Sequence, residues 1–320
     1  MYLSYYDLKE EPFRLTPDPH FLHLSAPHQA ALTVLLEGIL YRKGLVMVTG
    51  PIGTGKTTLV HTALKMLTDV SKQKMPIKSA LMFNPTLTRD EFLEMMLEDF
   101  EISCPSTSKP RRLIALQQML LETQRRGGTA VLFIDEAHLL SSELLEEIRL
   151  LGNADTHQEK LLQIVLSGQP ELVAVMNRRE LSALQQRIAA RASLRPLRLP
   201  EVCSYVAERL HFAGLQAVSP FSPAALEQIL HFSTGVPRLI NLICDACLTL
   251  GFKTSRKTIQ PDIVEEVAVS LGLIPEVPEF VEKEKKPILP SNADNIPTAP
   301  KSIVDTLIES MKQNRTAVMR

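Results

Sequence analysis

The chain has 320 residues with 45 % in the hydrophobic class, long enough for roughly two domains and apolar enough for real cores. Thirty-five basic against 36 acidic residues leave a formal charge of −1, so the total lacks the long-range attraction to polyphosphate of a dedicated nucleic-acid binder, and only a local basic patch is left open. No apolar run reaches the ~20 residues of a membrane span, no basic segment followed by an apolar one opens the chain, and four cysteines in this length make no disulfide framework; a reducing cytoplasm is the expected compartment.

From about residue 30 to 170, strand-like and helical stretches alternate, which predicts parallel strands joined by helical crossovers. The first strand, Leu45 to Thr49, runs into Gly50-Pro51-Ile52-Gly53-Thr54-Gly55-Lys56-Thr57, which fills every fixed position of G-x-x-x-x-G-K-[ST]. Glycines there let the backbone turn with its N–H groups inward, Lys56 reaches terminal phosphates, and the Thr57 hydroxyl ligates Mg²⁺. Thr58 to Leu67 reads as the following helix, so the whole is a strand, a loop and a helix N-terminus: an anion site formed by residues 50–58. Ser79 to Phe83 is the next strand, with Asn84-Pro85 after it, and Arg89 to Phe100 and Leu113 to Arg126 have helical spacing.

Ala130 to Ile134 is a buried strand that ends in Asp135 and Glu136, about eighty residues after Lys56. An acid at the end of a strand adjoining the loop strand holds Mg²⁺ through water, and the next acid orients and deprotonates the attacking water. Asp135 thus joins Thr57 as a metal candidate, and Glu136 is the candidate base. His138 completes a D-E-A-H string and reads first as a polar residue at a helix start. Leu162 to Leu166 is the last candidate strand of this region.

After Pro200 the pattern is helical alone: Glu201 to Ala213, a helix from Ser222-Pro223 to Phe232 with an N-cap and a first-position proline, then Pro237 to Phe252 and Pro261 to Leu271. Cys244 and Cys247 have C-x-x-C spacing, but they lie in an apolar helix with no second pair, so core packing is the expected role. From Pro275 onward, charged and then Pro, Asn and Ser-rich sequence predicts disorder, and Ser302 to Met311 has the spacing of a short amphipathic helix, for a partner or for self-packing. The partition expected is 1–198, an α/β nucleotide-binding domain with an N-terminal extension; 199–273, a helical lid; and 274–320, a tail.

The loop and acid pair together resemble the AAA+ division of P-loop ATPases, which implies an ATPase that binds ATP and Mg²⁺. In that likeness the strand end Ser167-Gly168-Gln169 resembles the first sensor of the γ-phosphate, with Ser167 and Gln169 both candidates and Gln169 favoured. Gly235-Val236-Pro237-Arg238 resembles the G-x-P-R second sensor, in which Arg238 moves the lid. Leu184 to Arg191 resembles the segment that carries an arginine finger, Arg187 first and Arg191 in reserve; solvated helix-face arginines are the plain alternative. Asn84 matches a polar residue that restrains the catalytic glutamate, here Glu136, or simply caps a turn. A finger implies an active site shared between subunits, hence a homo-oligomer such as a ring.

The opening from Tyr2 to Leu22, with Ser167-Gly168-Gln169-Pro170-Glu171-Leu172 and Gly235 to Asn241, resembles the ExeA/GspA-type ATPases of bacterial secretion systems over residues 1 to 272. That resemblance implies a motor for a secretion or cell-envelope apparatus, held at the inner membrane by a partner. ExeA proteins carry a membrane span and a peptidoglycan-binding domain after the ATPase, and the sequence beyond 274 matches neither, so the shorter relatives of exosortase or pilus loci are the nearer expectation. The alternative is a DNA-associated ATPase, a transposition regulator or loader, with Arg111-Arg112 and Arg125-Arg126 as the patch. A non-hydrolysing scaffold is the third class, and the presence of Lys56, Asp135 and Glu136 argues against it.

Overall fold

Strand β1 (Leu45–Thr49) and its four companions, β2 (Ile77–Met82), β3 (Thr129–Ile134), β4 (Leu162–Gly168) and β5 (Ile188–Ser193), pair in parallel in the order β2-β3-β4-β1-β5. They belong to a computed structural model that describes residues 2–15, 25–73, 75–83, 86–156, 159–273, 304 and 306–309. Every residue of β1, β3 and β4 is buried, as the uninterrupted apolar runs require once helices cover both faces.

Side chains alternate across each strand, so the sheet feeds two cores. On one face α1 (Ala26–Leu40) and α2 (Lys56–Gln73) place Leu32, Leu35, Leu59 and Leu67 against Val46, Val48, Phe133 and Val165. On the other, α3 (Arg89–Asp99), α4 (Lys109–Arg125), α5 (Ser142–Leu151), α6 (Glu171–Met176) and α7 (Ser182–Gln185) cover Met47, Leu132, Ile134 and Leu166 with Phe92, Leu116, Ile148, Leu172 and Leu184.

Two sequence expectations are corrected here. The plain alternative of helix-face arginines does not hold for Leu184 to Arg191: only Leu184 and Gln185 belong to α7, and from Ile188 the stretch is β5, an edge strand hydrogen-bonded to β1 with a shift of register between Leu45 and Val46. Its Ile-Ala-Ala-Arg-Ala-Ser sequence is poor in the β-branched and aromatic residues that mark strands, and only alternate positions are even partly covered. The acid-bearing strand also does not adjoin the loop strand, because β4 lies between β3 and β1.

The chain then turns to α8 (Leu199–Phe212), α9 (Pro223–Ser233), α10 (Pro237–Lys253) and α11 (Pro261–Ser270). The Ser222 hydroxyl accepts the Ala225 N–H at 3.2 Å, the cap the sequence predicts. The N-terminal extension, expected with the sheet, packs here instead: Tyr2, Tyr6, Leu8 and Phe13 share a core with Val206, Ile240, Cys244 and Ile263. Polar groups fix it, with Tyr2 Oη donating to Asp245 Oδ1 at 2.5 Å, the Lys9 N–H to the Ala213 carbonyl at 2.7 Å, and Arg209 Nε to the Pro12 carbonyl at 2.6 Å. Three aromatics and a leucine supply enough apolar area to hold a short segment in place. Of the tail helix, residues 304 and 306–309 are helical, and Val304 and Ile308 are buried in the α1–α2 core. Asn84 and the stretch 274–303 lie outside the described residues.

Candidate active site

Parallel strands end together, so the sequence after β1, β3 and β4 is delivered to one edge of the sheet. Thr49 pairs with Gly168, and Ile134 with Leu166. The loop, the acid pair and the sensor segment therefore meet although they are far apart in sequence, in the crevice where parallel sheets bind ligands.

The loop from Gly50 to Gly55 leads straight into α2, which begins at Lys56. The first N–H groups of that helix, those of Lys56, Thr57 and Thr58 among them, have no carbonyl of the preceding turn to bond and lie at the positive end of the helix dipole. Gly53 has φ +77°, and a Cβ on it would stand 2.9 Å from the Arg238 Cβ. Lys56 is buried, its Nζ donating to the Gly50 carbonyl at 2.9 Å and the Pro51 carbonyl at 3.1 Å. Burial pulls the ammonium below its ordinary pKa, opposed by the attraction of Glu136, Asp135 and Glu171. Thr54 folds its hydroxyl back on the Pro51 carbonyl at 2.8 Å, while Ile52 stays exposed.

Across the crevice, Thr57 Oγ1 donates to Asp135 Oδ2 at 2.7 Å. A hydroxyl and a buried carboxylate in contact are two hard oxygen donors, a set that fits Mg²⁺, which takes few protein ligands and keeps water and phosphate for the rest. Glu136 follows with φ +49°, its N–H bonded to Asp135 Oδ1 at 3.0 Å. That left-handed backbone turns the Glu136 side chain away from the strand direction; its Oε2 is buried without a hydrogen bond although the side chain as a whole is 41 % exposed.

Both sensor candidates sit at this edge. Ser167 lies in β4 between the loop strand and the acid strand, paired with Val48, and its buried Oγ has no hydrogen bond. Gln169 is one step beyond the strand and donates its N–H to His138 Nδ1 at 3.5 Å. Arg238 opens α10 after the Pro237 start, and its N–H donates to the Gly53 carbonyl at 3.2 Å, so the helical layer touches the loop. Gly235 makes that turn possible: it has φ +76°, and a Cβ would lie 2.1 Å from the Leu197 carbonyl oxygen.

Arg187 stands apart. It precedes Ile188, which pairs with Leu45 at the start of β1, and its Nη1 donates to the Arg149 carbonyl at 2.8 Å. Arg191 lies in β5, exposed and level with Met47.

Two histidines of this edge escape a reading by motif. His28 of α1 is buried, bonded to Ser25 Oγ at 2.6 Å and to the Thr54 carbonyl at 2.8 Å, so it props the loop from outside. His138 lies 3.4 Å from Glu136 Oε2 and contacts Gln169. Neither belongs to a linear motif that names its partner; only the D-E-A-H string hinted at the second. Cys244 and Cys247 are both buried, which pushes their thiols up, Cys247 to about 12, so they carry no thiolate for metal or redox work.

Residues 39–176 match the family described as AAA domain. Over 268 residues the chain is 38 % identical to General secretion pathway protein A of Aeromonas hydrophila, a match that covers 82 % of this chain and 47 % of that protein, so the chain spans about half the length of this relative. Among solved structures it is similar to the Drosophila ORC bound to DNA (TM-score 0.64, 17 % identity, 82 % of this chain and 64 % of that one) and to Cdc6p of Pyrobaculum aerophilum (TM-score 0.61, 18 % identity, 80 % and 71 %). At such identities the likeness to these structures is one of fold.

Proposed function

Because the chain belongs to the AAA+ ATPases of the General secretion pathway protein A type, we propose that it hydrolyses ATP, with Mg²⁺, as a motor that assists assembly or regulation of a bacterial secretion or envelope-export apparatus. One observation carries the hydrolytic part: Thr57 and Asp135, 78 residues apart, are in contact at 2.7 Å across the end of β4, with Glu136 directly after. Lys56 and the N–H groups at the start of α2 bind the phosphates, Thr57 and Asp135 hold the metal, and Glu136 takes a proton from the attacking water. Bound Mg²⁺ supplies charge neutralisation on the phosphoryl oxygens. Arg238, hydrogen-bonded to Gly53 through its backbone, couples the state of the loop to the helical layer.

Arg187 acts on a neighbour. It lies at the end of the sheet opposite the loop, which supports a homo-oligomeric ring as the working form, with each subunit lending Arg187 to the next. We place this motor on the cytoplasmic side, recruited to the inner membrane by an envelope partner. Among the described residues no helix is long and apolar enough to cross a membrane. The DNA reading has weaker support: Arg112 is buried and spent on Glu94 Oε2 at 2.8 Å and the Asp90 carbonyl at 3.1 Å, and Arg126 pairs with Glu122.

The test compares wild type with Lys56→Ala and Glu136→Gln for nucleotide binding and phosphate release, with and without duplex DNA. Lys56→Ala is expected to lose binding. Glu136→Gln keeps binding and loses turnover by about 10²–10⁴-fold; turnover undiminished in Glu136→Gln would remove it as the base. Salt-sensitive stimulation by DNA would turn the choice of apparatus toward the DNA reading.

A further inference from the structure

His138 stands between the two groups whose actions must be timed with respect to each other. Its Nδ1 accepts the Gln169 N–H at 3.5 Å, and the same atom is 3.4 Å from Glu136 Oε2. These two bonds exclude one another. To accept from an N–H, Nδ1 must present its lone pair; to hydrogen-bond a carboxylate oxygen, it must carry the proton. With the Gln169 N–H as its donor, Nδ1 carries no proton, and Glu136 Oε2 is left a buried carboxylate oxygen without a hydrogen bond, a condition polar groups rarely tolerate.

The surroundings make the exchange local. The turn at Ala137–Leu139 packs on the end of β4, where a Cβ on Gly168 would come within 3.2 Å of the His138 N–H nitrogen and 3.1 Å of Leu172. Gly168 thus lets the segment carrying Gln169 approach the segment carrying Glu136 at backbone distance. The His138 side chain is only 12 % exposed, so no bulk water stands in for either partner without a change in this packing.

We propose that His138 is the positioning residue through which the sensor segment controls Glu136, an inference that rests on the ATPase reading above. While Gln169 holds Nδ1, Glu136 is unsupported and hydrolysis is slow. When the Gln169 segment is drawn away toward bound nucleotide, the imidazole changes tautomer: Nε2 releases its proton to water, Nδ1 takes one up, and the new Nδ1–H donates to Glu136 Oε2. The carboxylate is then held by one oxygen, and the other receives the proton of the attacking water. His138 touches neither nucleotide nor metal in this scheme. It selects which of two neighbours is bonded.

The experiment measures kcat, KM and ATP affinity for the full chain with His138→Ala, His138→Asn and the Glu136→Gln combinations. His138→Ala is expected to lower kcat by about tenfold, the worth of one hydrogen bond to a charged group, with ATP affinity unchanged within about twofold. His138→Asn, whose amide places an N–H donor near the position of Nδ1, is expected to recover most of the rate. In the Glu136→Gln background His138→Ala should cost nothing further, since the group it positions is gone. An unchanged kcat in His138→Ala, an effect on affinity instead of kcat, or a full additional loss on top of Glu136→Gln would each overturn the proposal. A wild-type chain without ATPase activity would instead overturn the reading on which it rests.

Discussion

Along β1 the chain passes from Leu45, paired with Ile188 next to Arg187, to Thr49, where the phosphate loop begins. The step is four residues, about 13 Å at ~3.3 Å per residue, and the two ends differ in kind. The loop end gathers Lys56, Thr57, Asp135, Glu136, Ser167, Gln169 and Arg238 from four segments. The other end has Arg187, bonded to a backbone carbonyl, with Arg149 and Lys160 nearby, each paired with an acid. A parallel sheet makes this division unavoidable, because its loops at one end follow the strands and those at the other precede them. What the contrast teaches is that one copy of the chain gathers hydroxyls, acids and cations at one end of the sheet and holds Arg187 apart at the other.

The largest effect that would break this contrast is in Arg187→Ala. Turnover is expected to fall by about 10³-fold, at the lower end of what a charge-stabilising arginine contributes, with ATP binding unchanged. Mixing that variant with Lys56→Ala should restore measurable phosphate release, since one variant supplies an intact loop and the other an intact arginine; if the mixture is as inactive as its parts, Arg187 does not serve a neighbour. A smaller effect sharpens the loop end: Gly235→Ala puts a methyl into the Leu197 carbonyl and imposes a left-handed φ on alanine, so a loss of more than about 3 kcal/mol of stability is expected in denaturant titration. Phe13→Ala, in the segment that the helical layer shares with the N-terminus, is expected to cost about 3–4 kcal/mol in the same measurement, while a value near zero would mean that the segment is not part of that core.

The smallest expected effect lies at the passage from β5 to α8. Arg195 hydrogen-bonds the Glu201 carboxyl at 2.7 and 2.9 Å and the Arg198 N–H adds a third bond, which hold that carboxyl below its ordinary pKa. A carboxyl lowered in the folded state stabilises above its unfolded value, near 4.3, and that stabilisation disappears as pH falls through the folded value. Glu201→Gln should therefore lower stability by about 1 kcal/mol at pH 7, and the difference from wild type should close as the pH falls through the lowered folded-state value in melts taken across pH.

The legible parts of this molecule were contiguous. The run Gly50 to Thr57 and the strand into Asp135-Glu136 each carry their pattern within a dozen residues, and the buried strands β1, β3 and β4 are plain apolar strings. β5 was hidden because its alanines, arginine and serine have no strand preference and its partner β1 lies some 140 residues earlier. The order of strands, with β4 between β3 and β1, depends on crossovers that no local pattern encodes. The N-terminal segment looked like an extension of the nearest domain in sequence, yet Tyr2 bonds Asp245, 243 positions away. His138 read as a helix-start residue because its partners include Gln169, 31 positions on, which only the end of β4 brings to it.

The placement of residues 2–13 has a mechanical consequence for the helical layer. The chain enters that layer first, leaves it for α1 and the sheet, and comes back after Leu197, so the two bodies are joined by two covalent strings rather than one. Two connections leave a body fewer independent motions than one does, because each crossing restrains where the other can go. Arg238, whose N–H meets the Gly53 carbonyl at 3.2 Å, is the point at which any such motion would reach the loop.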